Sequence, residues 1–361
     1  MRCNKVLIFV LLAVFIFSIP ALASGLEDAA KQEGKVVVYS ITSRISNAAE
    51  AFEEKYGIKV EAYNLHDFEL VEKLSKEAKS GIVGADFVIA QDSGRVFGEL
   101  LEPGYVYSYV PEDMKSVIPK ELQNPLVFSF ISKVFCYNSE TYTAPPVDNI
   151  WALADPEMKG KFFFKDPFQE GVNMNFLTMI TSTEWAEKIA KAYEIHYGEP
   201  IKLTTENAGY EWIKAVLENE LVIFTSDTKM AESIGIKGQG VDATGLFAYT
   251  KLRYRESKNL ALMPIMGMDP FAGFYYPGYL LMVKNAKHPN AAKLFIQYLL
   301  TMEGFKPWYR SPGMYSSNLN IPPFPGDNTL SVWEQILVGE DGRYIFNNRA
   351  DVEEFWGSFA Y

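Results

Sequence analysis

Cysteine is almost absent: Cys3 and Cys136 are the only two in 361 residues, and histidine is confined to His66, His196 and His288. A disulfide framework is therefore excluded. Cys136 sits in the apolar run Val134-Phe135-Cys136-Tyr137, where a buried, inert thiol is expected. The signatures of several chemistries are missing too. There is no G-x-S-x-G, no H-E-x-x-H, no phosphate-binding P-loop, no G-x-G-x-x-G after a strand and no C-x-x-C. Basic charge is in deficit, with 34 Lys and Arg against 45 Asp and Glu, a net charge of −11. Nucleic acid needs a basic stripe and anionic lipid attracts basic segments. The balance argues against both partners and still leaves room for a local basic site.

Long apolar runs are missing after the first one. That one, 6–19, follows Arg2 and Lys5 and precedes Ala21-Leu22-Ala23-Ser24. A short basic end, an apolar run and an Ala-x-Ala site make a cleavable secretory signal over 1–23, and the run is too short for a membrane span. Cys3 precedes the run, so it is not placed as a lipidated cysteine. The segment holds no acid, so its removal takes the charge from −11 to −13. The expected product is exported, to a periplasm or beyond the cell.

The length suits two domains better than one. Val36, Val37 and Val38 form a β-branched strand, and a helix from Arg44 presents Ile45, Ala48, Ala49, Phe52 and Tyr56 before Gly57 ends it. A strand at 58–63, a helix at 68–79 with Phe68, Val71, Leu74 and Ala78 inward, and a strand at 86–90 follow. Three βα units predict a parallel sheet with helices on both faces. The apolar stretch 126–137 is too long for the first sheet and reads as strands entering a second lobe. Strands at 246–251 and 260–264 read as returning to the first. The tail from 331 carries Trp333, Ile336, Leu337, Phe346, Phe355 and Trp356, enough apolar area to pack on a lobe.

Polar clusters stand at the carboxyl ends of predicted strands, where open α/β sheets bind ligands. They are Ser40, Thr42, Ser43 and Arg44; Gln91 and Asp92; Asn173 and Asn175; and Ser226 and Asp227. A helix N-terminus behind Thr42 and Ser43 favours an anion, and Arg44 adds a fork suited to carboxylate or phosphate. Each cluster taken alone also reads as an ordinary cap. Tyr275 and Tyr276 form an aromatic pair that stacks on a ligand, binds a hard metal or packs at a junction. Arg253 and Arg255 read as solvated surface charges. Asp92, Asp166 and Asp227 would be the carboxylates of a secreted enzyme, the alternative from another class.

Three motifs in order carry a family resemblance. Val36-Val37-Val38-Tyr39-Ser40 with the helix ending at Tyr56-Gly57, the segment 151–161 (WALADPEMKGK) and the segment 278–295 (GYLLMVKNAKHPNAAKLF) resemble bacterial extracellular solute-binding proteins. The branch includes binders of ferric iron, phosphonate, thiamine, polyamine and sugar phosphate. The resemblance covers roughly 30–310. It implies an α/β fold of two lobes joined by two crossing strands, with lobe 1 at 24–128 plus 264–330, lobe 2 at 129–263, and 331–361 packing on a lobe. It also implies closure on a ligand, delivery to a membrane permease with its ATPase, no catalysis, no cofactor and a monomer. A receptor-signalling role fits the same lobes. The ferric branch usually has a tyrosine pair after the strand that here ends at Phe224, where this chain has Thr225-Ser226-Asp227. A ferric site would have to use Tyr275 and Tyr276, with Glu69. The hydroxyls, amides and Arg44 instead favour an anionic or zwitterionic organic solute, such as a phosphate or phosphonate ester.

Overall fold

The computed structural model describes residues 19–359, and the expected leader, 1–23, lies largely outside them. The described backbone begins in a helix, Ile19–Glu33. Eleven strands follow: β1 Lys35–Ser40, β2 Lys59–Asn64, β3 Phe87–Ala90, β4 Val106–Tyr107, β5 Val127–Asn138, β6 Phe162–Lys165, β7 Val222–Phe224, β8 Thr244–Ala248, β9 Leu262–Pro264, β10 Gly273–Val283 and β11 Met314–Ser316. Eight of them form the path β2-β1-β3-β10-β5-β8-β6-β7, with β4 paired to β10 and β9 and β11 paired to β5.

β1 pairs in parallel with β2 and β3, and β6 in parallel with β7 and β8. Two parallel sheets thus lie at opposite ends of the path, joined by β5 and β10. One half of β10 pairs with β3, Met282 opposite Phe87, and the other pairs antiparallel with β5, Gly273 opposite Val134. β5 continues beyond β10 to pair with β8 and β9. All twelve residues of β5 are buried, because it has neighbours on both edges and both faces. At their closest approach, a Cβ on Gly273 would lie 2.1 Å from the Lys133 carbonyl, so only glycine fits there.

The helix Arg44–Tyr56 buries Ile45, Ala48, Ala49 and Phe52 and ends at Gly57 with φ 70°, as its spacing predicts. The helix Asp67–Lys79 is rotated from the expected phase. It buries Leu70, Val71, Leu74 and Ser75, while Phe68 is 64% exposed and lies beside the Arg95 guanidinium. The expected return at 246–264 is also displaced. β8 and β9 stay with the far end of β5, and the second crossing is made by β10 rather than at 263/264. The apolar stretch 126–137 is one strand, not several.

The tail runs across both ends of the sheet. Val338 exchanges backbone hydrogen bonds with Gly273 and Tyr275 of β10, at 3.0 and 2.9 Å. The helix Gly342–Phe359 then packs on the segment 93–101 from one end and on the helices Gly171–Ile180 and Ala208–Glu218 from the other. Its buried residues are Ile345, Val352 and Trp356.

Candidate functional site

A cavity of about 360 Å3 opens between the two parallel sheets. Ile41 to Arg44 reach it from the carboxyl end of β1, and Ile89 and Gln91 from that of β3. Glu170 comes from the loop after β6 and Asp227 from the turn after β7. The middles of β5 and β10 supply the floor with Ser129, Ile131, Tyr276 and Gly278. Ala248, Thr250, Lys251, Arg253, Phe128, Trp308 and Met314 complete it. Parallel strands direct their carboxyl ends to one side of a sheet, so two facing sheets bring such turns together.

The charges divide into two sets. On the acidic side, Glu170 meets Lys133 and lies 2.9 Å from Lys165. Burial opposes its ionisation, but the two lysines outweigh that and hold the carboxyl down at about 2. Lys133 is fully buried, with Asn173 Oδ1 at 2.9 Å and Asp227 Oδ2 at 3.5 Å. A buried ammonium needs such partners, since desolvation otherwise outweighs its charge. Asp67, behind Gln91 and accepting from its amide at 2.6 Å, is raised by burial to about 7. The neutral acid is therefore substantially populated near neutrality.

The cationic side is unlike this. Arg44, Lys251 and Arg253 line the cavity, and none forms an ion pair among the described residues. Arg253 donates to the Thr250 carbonyl at 2.8 Å and the Tyr254 hydroxyl at 2.9 Å. Burial lowers the Arg44 value, helped by the charges of Arg253 and Arg310. Burial and Arg253 likewise lower Lys251 against the pull of Asp227. Like charges held together in partial burial are relieved by an anion.

The structure brings together Thr42, Ser43, Arg44, Gln91, Asp227 and Tyr276 of the sequence candidates. Ser40 and Asn173 are buried behind them. The Ser40 hydroxyl bonds the Thr42 backbone, and Asn173 fixes Lys133. Three others are turned elsewhere. Asp92 is buried at φ 52° and takes two bonds from Arg349, at 2.8 and 2.9 Å, and Asn175 accepts from the same guanidinium at 3.2 Å. Both serve the C-terminal helix. Ser226 caps the helix Asp227–Gly235 through the Lys229 N–H. Asp166 accepts from the Phe168 N–H at 2.9 Å in a turn, and of the three candidate enzyme carboxylates Asp227 alone lines this cavity.

The tyrosine pair is split by strand alternation. Tyr276 faces the cavity, while Tyr275 packs on Phe130 in a different cavity with Glu334 and Glu340. Adjacent residues on one strand point to opposite faces, so the two phenols cannot share an ion in this arrangement. Glu69 is exposed and accepts from the His66 N–H at its own helix start. Among the described residues no group of three His, Cys, Asp or Glu side chains is placed to hold a metal. Arg253 is corrected from surface charge to cavity wall, because the strand expected through 251 ends at Ala248 and the chain turns inward. Arg255 does face outward from the cavity, donating to the Leu262 carbonyl at 2.7 Å. Sequence alone does not single out Lys133, Glu170 and Lys251, which the structure brings to the site. The one available signal was a lysine inside an otherwise apolar strand.

Cys136 is fully buried, and burial pushes its thiol far up, as an inert cysteine requires.

No curated protein sequence matches the chain. Its fold is shared with solved structures at low identity. Iron-bound HitA from Pseudomonas aeruginosa superposes with a TM-score of 0.71 at 16% identity, covering 91% of this chain and 99% of that one. AfuA from Actinobacillus pleuropneumoniae, with fructose-6-phosphate bound, gives 0.67 at 17%, covering 91% and 98%. The substrate-binding protein of an ABC transporter from Agrobacterium tumefaciens gives 0.68 at 15%, covering 91% and 94%. The family model for bacterial extracellular solute-binding proteins matches residues 47–329, more than half of the chain. With two sheets facing a cavity at their strand ends, and a sequence that fits that model across both, this chain belongs to the bacterial extracellular solute-binding proteins.

Proposed function

We propose that the protein captures a small organic anion, a zwitterion included, between its lobes and delivers it to the permease of an ABC importer. The observation that carries this reading is the cationic wall. Arg44, Lys251 and Arg253 face the cavity without a carboxylate partner, while Glu170 is held by two lysines. Ile41, Ile89, Phe128, Ile131 and Trp308 add apolar surface, which suits an organic solute over a bare ion. The chain is read as exported by cleavage after Ala23, without lipid on Cys3, and as acting as a monomer without catalysing a reaction. Support for the importer role comes from the family and from a structural neighbour described as the substrate-binding protein of an ABC transporter.

A thermal-shift screen tests the reading, since a ligand that binds only the folded state raises its stability by mass action. Small phosphates and carboxylates should raise the midpoint of the native protein, and Arg44→Ala with Arg253→Ala should abolish the shift. Stabilisation by neutral or cationic solutes alone would contradict it.

A further inference from the structure

The cationic wall accounts for an acid on the ligand but leaves Asp227 unexplained. Its Oδ2 accepts from the Ala248 N–H at 3.4 Å and lies 3.5 Å from Lys133 Nζ. Its Oδ1 is buried and meets no donor among the described residues, although Asp227 lines the cavity and is only 7% exposed. A carboxylate oxygen removed from water without a donor loses its hydration and gains nothing in return. Glu170, the other acid on this wall, is in a different condition, with Lys133, Lys165 and the Asn173 amide all meeting it. Lys251 feels the charge of Asp227 but forms no ion pair with it.

We propose that Asp227 is a specificity-determining residue, its Oδ1 receiving a hydrogen from a hydroxyl or ammonium group on the bound organic anion. The solute is then an acid that also carries a donor. Its acid lies toward Arg44 and Arg253, and its donor toward Asp227. This deepens the anion reading above and rests on it. A plain anion leaves Oδ1 still without a donor and sets its own negative charge against the acidic wall.

Titration calorimetry with two matched series tests this. One series is methyl phosphate, glycerol 3-phosphate and phosphoethanolamine; the other is propionate, lactate and alanine. In whichever series binds the native protein, a donor-bearing member should bind at least about tenfold more tightly than the plain anion, equivalent to about 1.4 kcal/mol. Asp227→Ala should bring the members of that series to equal affinity. Asp227→Asn keeps an acceptor oxygen and loses the charge, so it separates the two donors. A hydroxyl compound loses less than about threefold and an ammonium compound about tenfold or more, because charge-assisted bonds are the stronger kind. Equal affinity of plain and donor-bearing anions for the native protein, or a preference that survives in Asp227→Ala, overturns the role of Asp227 and leaves the anion reading standing. Failure of every member of both series to bind overturns the anion reading, and this proposal with it. Should Asp227→Ala fail to fold, the native comparison and Asp227→Asn still decide the matter.

Discussion

Arg44 shares the cavity with Arg253, feels the charges of Arg253 and Arg310, and forms no ion pair among the described residues. Replacing it with alanine should weaken a bound anion by about 1.5–3 kcal/mol, the scale of hydrogen bonds to charged groups. Calorimetry on the native protein and the variant measures this, and unchanged affinity would remove Arg44 from the site. Lys133 makes the opposite kind of prediction. Lys133→Met leaves Glu170 and Asp227 buried without their shared cation, so stability should fall by about 3–5 kcal/mol. Urea unfolding reads that loss. The two residues also mark what was legible at this scale. Arg44, Gln91 and Asp227 could be found because each follows a recognisable strand, and strand ends are where such sheets bind. Lys133 could not be placed, because whether a lysine in an apolar strand faces solvent, a core or a cavity depends on residues 37 and 94 positions away. Asp92 follows a strand like the others, whereas Asn175 lies inside the helix Gly171–Ile180. Both are held by Arg349, from a distant part of the chain, a partner that local sequence does not reveal.

At the scale of elements, periodicity located most strands and helices, and the errors have identifiable causes. In the helix Asp67–Lys79, Val71 and Leu74 are buried as expected, but Phe68 packs on Arg95 and Leu70 takes the inward place. β8 and β9 have the composition of crossing strands, but only pairing reveals that both remain on the far half of β5. The C-terminal helix was legible as packed but not as reaching both ends of the sheet. It should matter for stability. Trp356 is buried against Phe164, at 6.1 Å between ring centres, and Trp356→Ala should cost about 3–5 kcal/mol in urea unfolding. The segment before it carries a pH dependence. Glu340 accepts from the Ser93 hydroxyl and from the Asn175 amide at 3.2 Å, yet burial, joined by the charge of Asp92, raises it to about 8. A carboxyl raised in the folded state binds more protons there than in the unfolded chain. Its stabilising contribution is therefore full below the ordinary carboxylate value and is lost as pH climbs to about 8. Glu340→Gln should narrow the difference in thermal midpoint between pH 5 and pH 8. An unchanged difference would show that Glu340 does not titrate in that window.

For the whole molecule, β5 and β10 are the parts shared between the two parallel sheets, and the cavity lies over their middles. Rotation about those strands would change the cavity while leaving the pairing within each parallel sheet intact. A solute that touches both walls binds the closed form better and shifts the population toward it. X-ray scattering should show a smaller radius of gyration with a saturating organic anion, and no compaction with a tight ligand would contradict closure. The central claim, however, concerns what is captured. Native mass spectrometry of the protein as purified, followed by denaturation and analysis of what is released, addresses it directly. The account predicts an organic anion at one per chain, absent from Arg44→Ala prepared in the same way. Release of iron or of an uncharged compound would contradict it.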